Sequence, residues 1–95
     1  MQPEIKRDVL RRLKTVQGHV AGLSRMVEDD AYCIDILNQV LAVQHALSKV
    51  ASRVLENHLQ TCVRQALASD SSADPSERER IIQELLAIYE KATSL

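Results

Sequence analysis

The stretch AYCIDILNQVLAVQHALSKVASRVLENHLQTCVRQALA, residues 31–68, decides the fold. It holds neither glycine nor proline, and its aliphatic residues recur at helical spacing, so it reads as one long helix from Ala31 to about Ala68. At about 1.5 Å per residue such a helix extends about 55 Å, further than two other helices of a small chain can cover. Part of its apolar face is therefore expected to meet a second subunit. On the N-terminal side, between Glu4 and Glu28, the residues Val9, Leu13, Val16, Val20, Leu23 and Val27 alternate in steps of four and three. That is the stripe of an amphipathic helix. Asp30 follows the acidic Glu28-Asp29 and is expected to cap the start of the long helix through its carboxylate. On the C-terminal side Ser69-Asp70-Ser71-Ser72-Ala73 reads as a loop. Asp74-Pro75-Ser76-Glu77 then supplies an N-cap, a proline at the first helical position and a glutamate at the third. A third helix is expected through about Ala92, burying Ile81, Ile82, Leu85, Leu86 and Tyr89. The expectation is an all-α, three-helix protomer with a long central helix, forming a single domain over residues 1–95.

Composition agrees with helices. The chain of 95 residues is 45% hydrophobic but only 2% aromatic, with two glycines and two prolines, so its core must be aliphatic. A domain this small hides a low fraction of its surface, which again predicts oligomerisation. Net charge is −1, yet residues 1–25 hold six basic and two acidic side chains (6 − 2 = +4) while residues 26–95 hold six and eleven (6 − 11 = −5). The basic first third suits a polyanion, since neutralising phosphates releases counterions; from charge alone a solvated helix face is the equal alternative. No apolar run approaches the roughly 20 residues that cross a bilayer, and the first residues lack the apolar stretch of a secretory signal. A cytoplasmic location is expected. Two cysteines in a reducing compartment point to thiolate ligands, redox sensors or inert apolar residues before a standing disulfide.

The chemistry-bearing residues are Cys33, His58 and Cys62. His58 and Cys62 stand four apart, near enough on a helix to share one metal. At about 100° per residue, His58 and Cys62 fall about 20° either side of Cys33's direction, so one helix face carries all three. Within one chain they cannot meet. About 25 residues of helix place Cys33 about 37 Å from His58, whereas ligand atoms sit about 2.0–2.3 Å from a metal such as zinc. Two copies crossing antiparallel near residues 46–47 solve this, because Cys33 of one chain then reaches His58 and Cys62 of the other. Two equivalent sites per dimer follow from the twofold symmetry. Leu37, Val40, Gln44, Leu47, Ala51 and Leu55 lie on the same face and would form the seam, with Gln44 as a paired polar group near the axis. Two thiolates and an imidazole form a soft, low-coordinate set that suits Cu(I) better than hard cations and leaves structural zinc one ligand short. His19 and His45 fall outside this face and are expected at the surface.

These residues carry a resemblance. Arg12-Leu13-Lys14-Thr15-Val16-Gln17-Gly18-His19, then Asp30-Ala31-Tyr32-Cys33 with Asp35 and Gln39, then Asn57-His58-Leu59-Gln60-Thr61-Cys62, resemble the copper-sensitive operon repressors (CsoR/RcnR type) over nearly the whole chain. The resemblance implies an antiparallel dimer with a four-helix-bundle-like core, assembling to a tetramer. It implies a repressor of copper-resistance genes that binds double-stranded operator DNA when metal-free and releases it on binding one Cu(I) per protomer at an intersubunit site. By the same resemblance Cys33, His58 and Cys62 are metal ligands, and Tyr32 and Glu84 couple the site to helix motion. Arg11, Arg12 and Lys14 of the first helix contact DNA, with Lys49 and Arg53 in the matching neighbourhood of the second. Relatives that respond to persulfide lack the histidine and those responding to formaldehyde lack the second cysteine; this chain keeps both. The alternative within the fold is a thiol or persulfide sensor bridging Cys33 and Cys62 between subunits. An enzyme using a Cys-His pair finds no support, since the sequence offers no glycine-rich loop and no oxyanion element.

Overall fold

The structure, a computed structural model, describes residues 1–63 and 75–93, and these contain three α-helices and no strand. Two compact units are distinguished, Met1–Asn57 and His58–Leu95. In the first, α1 spans Pro3–Glu28 and α2 spans Cys33–His58, so that only the last residue of α2 belongs to the second unit. Gln2 precedes α1 with an extended backbone and no side-chain cap. Pro3 occupies the first helical position, where its missing N–H would have had no helical partner. The Gln2 amide donates instead to Asn57 Oδ1 at 2.9 Å, and Asn57 is buried. Thus the beginning of α1 is tied to the end of α2.

Asp30 has a different task from the one expected. The Ala31 amide donates to the Met26 carbonyl and the Asp30 amide to the Val27 carbonyl, which is the paired 6→1 and 5→2 closure of a Schellman motif. Asp30 is the left-handed residue of that motif, with φ 53°, and so ends α1 rather than starting α2. The first helical bond of α2 runs from the Ile36 amide to the Tyr32 carbonyl, placing Tyr32 at the N-cap position. Aspartate tolerates the left-handed region better than most residues, but glycine has no Cβ to strain there. Asp30→Gly is therefore expected to stabilise the protein by about 0.5–1 kcal/mol and Asp30→Val to destabilise it by at least as much, read as opposite shifts in thermal midpoint. Equal midpoints for both variants would contradict this.

Three polar contacts cross between α1 and α2: Gln2 with Asn57, Asp8 with Arg53, and His19 with Gln39. Residue numbers rise along one helix as they fall along the other, so the two form an antiparallel hairpin. Ile5, Val9 and Val16 of α1 and Val43 of α2 are its buried apolar residues. Half-buried Arg12, His19, Leu23 and Met26 continue the α1 face, and Ile36, Gln39, Ala46, Val50 and Arg53 continue that of α2. The α1 face is rotated from the expected stripe: Val20 and Val27 are exposed, while His19, expected at the surface, is half-buried with its Nε2 at 2.6 Å from Gln39 Oε1. Interhelical polar pairs hold the positions that a purely apolar stripe would have assigned to valine.

The regular α-helical pattern of the long helix is interrupted at His58. At His58 the α-helical pattern gives way to a π-helical turn, Leu59–Val63. The expected continuation to Ala68, the loop at 69–73 and the Asp74 cap lie outside the described residues. In the second unit, α3 spans Pro75–Thr93, with Glu77 in its first turn and Lys91 in its last, both matched to the helix dipole. Its buried stripe is narrower than expected: Ile81 is buried and Leu85 half-buried, whereas Ile82, Leu86 and Tyr89 are exposed. No helix among the described residues is long and apolar enough to cross a membrane.

Candidate functional site

Cys33 is the first residue of α2 and is exposed, with a free thiol. His58 is the last residue of the same helix and is half-buried. An uninterrupted α-helix of that length separates them by about 37 Å. Among the described residues no three His, Cys, Asp or Glu side chains stand together as a metal cluster. Cys62 lies within the π turn that follows His58; its side chain is outside the described residues. Single π turns occur often at functional sites, because they re-aim side chains that a regular helix would fix. No glycine, proline or charge pattern in the sequence announces this one.

Between the two ends, α2 presents a second apolar face. Leu37, Leu47 and Leu55 of the expected seam are 54%, 43% and 39% exposed, and Gln44 and Ala51 are exposed with them. Val40, at the border with α1, is half-buried. Ile34, Leu41 and Val54 widen the exposed strip. An apolar strip running the length of a helix, away from its partner in the hairpin, is what an interface with another chain needs. Of the two residues tied to this site by resemblance, Tyr32 is exposed directly before Cys33, and Glu84 on α3 accepts a hydrogen bond from Arg80 at 2.9 Å.

The basic residues converge elsewhere on the hairpin. A shallow groove between α1 and α2 is lined by Arg11, Arg12, Thr15, His45, Lys49 and Arg53. Lys14 is exposed on α1, one residue from Thr15. Asp8 holds three guanidiniums of the groove: Arg11 donates to its Oδ1 at 2.7 Å, and Arg12 and Arg53 donate through Nε to its Oδ2 at 2.9 and 3.0 Å. Arg53 also donates to Glu56 at 2.7 Å. The Asp8 to Arg11 and Arg12 spacings of three and four are those of intrahelical ion pairs, so two of the three Asp8 pairs are readable along α1. The Arg53 contact, 45 residues away, was not.

Hydrogen bonds from Arg11, Arg12 and Arg53 hold the Asp8 carboxyl far below the ordinary 3.8, against a smaller opposing effect of burial. Arg53 is pushed above its ordinary value by Glu56 first and Asp8 second. Because the folded value of Asp8 is depressed, its contribution to stability is present above about pH 4 and is lost as pH falls through that value and below. Asp8→Asn should lower the thermal midpoint at pH 7, and its deficit relative to wild type should shrink steadily from pH 4 downward. A deficit independent of pH would show that the carboxylate charge is not the source.

A family model described as metal-sensitive transcriptional repressor matches residues 5–91. The chain belongs to the metal-sensitive transcriptional repressors. This metal-sensitive repressor is 42% identical over 88 residues to the copper-sensing transcriptional repressor CsoR of Bacillus subtilis (strain 168), covering 93% of this chain and 81% of that one. It is 50% identical over 62 residues to the copper-sensing transcriptional repressor CsoR of Mycobacterium tuberculosis (strain H37Rv), covering 65% of this chain and 52% of that one. Among solved structures it is similar to the copper-sensing repressor CsoR with Cu(I) from Geobacillus thermodenitrificans NG80-2. That match has a TM-score of 0.79 and 35% identity, over 98% of this chain and 90% of the other. A variant of the formaldehyde-responsive regulator FrmR from Salmonella enterica serovar Typhimurium aligns with TM-score 0.73 and 28% identity, over 96% and 97%. The all-α fold expected from residues 31–68 is thus the fold of the metal-sensitive repressors.

Proposed function

We propose that this protein is a copper(I)-responsive transcriptional repressor of the cytoplasm, without catalytic activity, which binds operator DNA when metal-free and releases it on binding Cu(I), derepressing copper-resistance genes. One observation carries the reading: Cys33 and His58 terminate a single helix whose intervening outer face is apolar and exposed. Two such helices crossing antiparallel near residues 46–47 bring Cys33 of one protomer to His58 and Cys62 of its partner, twice per dimer. The donor set fits the metal, since two thiolates and one imidazole form a soft, low-coordinate site. Bound there, Cu(I) supplies a centre that favours one arrangement of the two helices over others.

The chain's own residues do the rest. Arg11, Arg12, Lys14, Lys49 and Arg53 contact phosphate, and Arg53 precedes His58 by five residues on α2, so the same helix carries a DNA contact and a metal ligand. Tyr32, at the N-cap beside Cys33, and Glu84 support the site and link it to helix motion. Pairs of dimers form the tetramer that covers the operator. Coupling between the two ligands is reciprocal: DNA must weaken Cu(I) binding by the same factor by which Cu(I) weakens DNA binding. The test is operator binding by reduced protein with and without one Cu(I) per protomer, over a range of salt. Metal-free protein is expected to bind with an affinity that falls as salt rises, and Cu(I) to release the DNA. Copper-independent binding, or release by persulfide with Cu(I) inert, would overturn the reading in favour of the thiol sensor.

A further inference from the structure

We propose that Asp8 is a positioning residue of the DNA-binding face, holding Arg11, Arg12 and Arg53 as one array across the α1–α2 groove. This rests on the reading of that groove as the DNA contact surface. The geometry separates the proposal from a simple structural ion pair. Asp8 receives Arg12 and Arg53 through their Nε atoms and Arg11 through one terminal nitrogen. Arg11 and Arg12 are thus each held at a single nitrogen, and Arg53 at two. Both terminal nitrogens of Arg12 keep their donors free of protein partners among the described residues, and Arg53 commits only one terminal nitrogen, to Glu56. A planar guanidinium held at one nitrogen offers its remaining fork to a phosphate in a fixed direction.

Position supports the same role. The three arginine side chains are 74%, 38% and 31% exposed, whereas the Asp8 side chain is 18% exposed, so the carboxylate lies beneath the cations and not among them. A phosphate approaching the groove meets guanidiniums first. The Asp8 to Arg53 bond also fixes the two helices' basic residues in register, since it crosses the hairpin. Arginines ordered before DNA arrives lose less rotamer freedom on binding, which favours the one backbone geometry that matches the array. Asp8 at the same time cancels part of the local positive charge, which disfavours indiscriminate attraction to any duplex.

Removing the carboxylate should therefore trade specificity for charge. The experiment selects a duplex from a random-sequence library with reduced, metal-free wild-type protein and compares it with a scrambled duplex of the same composition. Asp8→Asn should lose about tenfold in preference for the selected duplex, with binding to the scrambled duplex unchanged or tighter. Its log-affinity against log-salt slope should steepen by roughly one phosphate equivalent. Asp8→Glu, still able to reach Arg11 and Arg12 along α1, should recover part of the preference. If Asp8→Asn keeps the wild-type preference and slope while Arg12→Ala weakens binding to both duplexes, the groove binds DNA but Asp8 does not position it. Equal weakening on both duplexes with an unchanged slope points to a merely structural role and equally overturns the proposal. If Arg12→Ala and Lys49→Ala leave binding intact, the DNA reading of the groove fails and the proposal with it.

Discussion

Replacing His58 by alanine is expected to lower Cu(I) affinity by more than about 100-fold, beyond what loss of a residue that only supports a metal ligand costs. Cys33→Ala should do the same, because each removes one of three donors from a site that has no fourth to substitute. Metal-free operator binding should stay within about threefold of wild type in both, since neither residue lines the basic groove. The consequence is a repressor that binds its operator and no longer lets go at copper levels that release wild type. Competition with a Cu(I) chelator measures the first effect and anisotropy of labelled DNA the second. His58→Ala with wild-type copper affinity would remove the imidazole from the site and leave a two-thiolate sensor.

Leu47→Glu should break the dimer. Leu47 is 43% exposed, and in the proposed dimer it lies where the two antiparallel copies would cross. A residue near a twofold axis meets its own copy, so one substitution brings two carboxylates together in an apolar seam. Desolvation and like-charge repulsion together should cost about 3 kcal/mol or more, weakening dimerisation by over 100-fold. Sedimentation equilibrium reads the dissociation directly. Copper binding should fail with it, although no ligand has been touched, because the site is completed only by the partner. A variant that stays dimeric and binds Cu(I) normally would place the interface elsewhere.

The parts of this fold that could be read from residues alone were those set by periodicity. The three helices, the long apolar α2 and the placement of Cys33 near its start follow from spacing, and the structure has them. Where local and tertiary demands compete, spacing misleads. Asp30 is a good residue both for starting a helix and for ending one in the left-handed region, and only the Met26 and Val27 carbonyls show which applies. His19 looked peripheral because Val20 and Val27 complete a better apolar stripe. The hairpin instead turns His19 inward to Gln39 and leaves both valines exposed. The change from α- to π-helical pattern after His58 was invisible because a π turn has no composition of its own. Asp8 was seen as a charge to subtract from a basic segment. Its importance depends on Arg53, brought back by the hairpin from 45 residues away.

The central claim is that each sensing site takes Cys33 from one protomer and His58 and Cys62 from the other, and subunit mixing tests it most directly. Cys33→Ala and His58→Ala chains each lack a complete site as homodimers. Unfolded together and refolded in equal amounts, they should form heterodimers carrying one intact site, built from Cys33 of the second chain with His58 and Cys62 of the first. High-affinity Cu(I) binding should return to about one quarter of wild-type capacity, since about half the dimers are mixed and each holds one site of two. No recovery of tight binding in the mixture, with heterodimers shown to be present, would mean that the ligands do not come from opposite protomers.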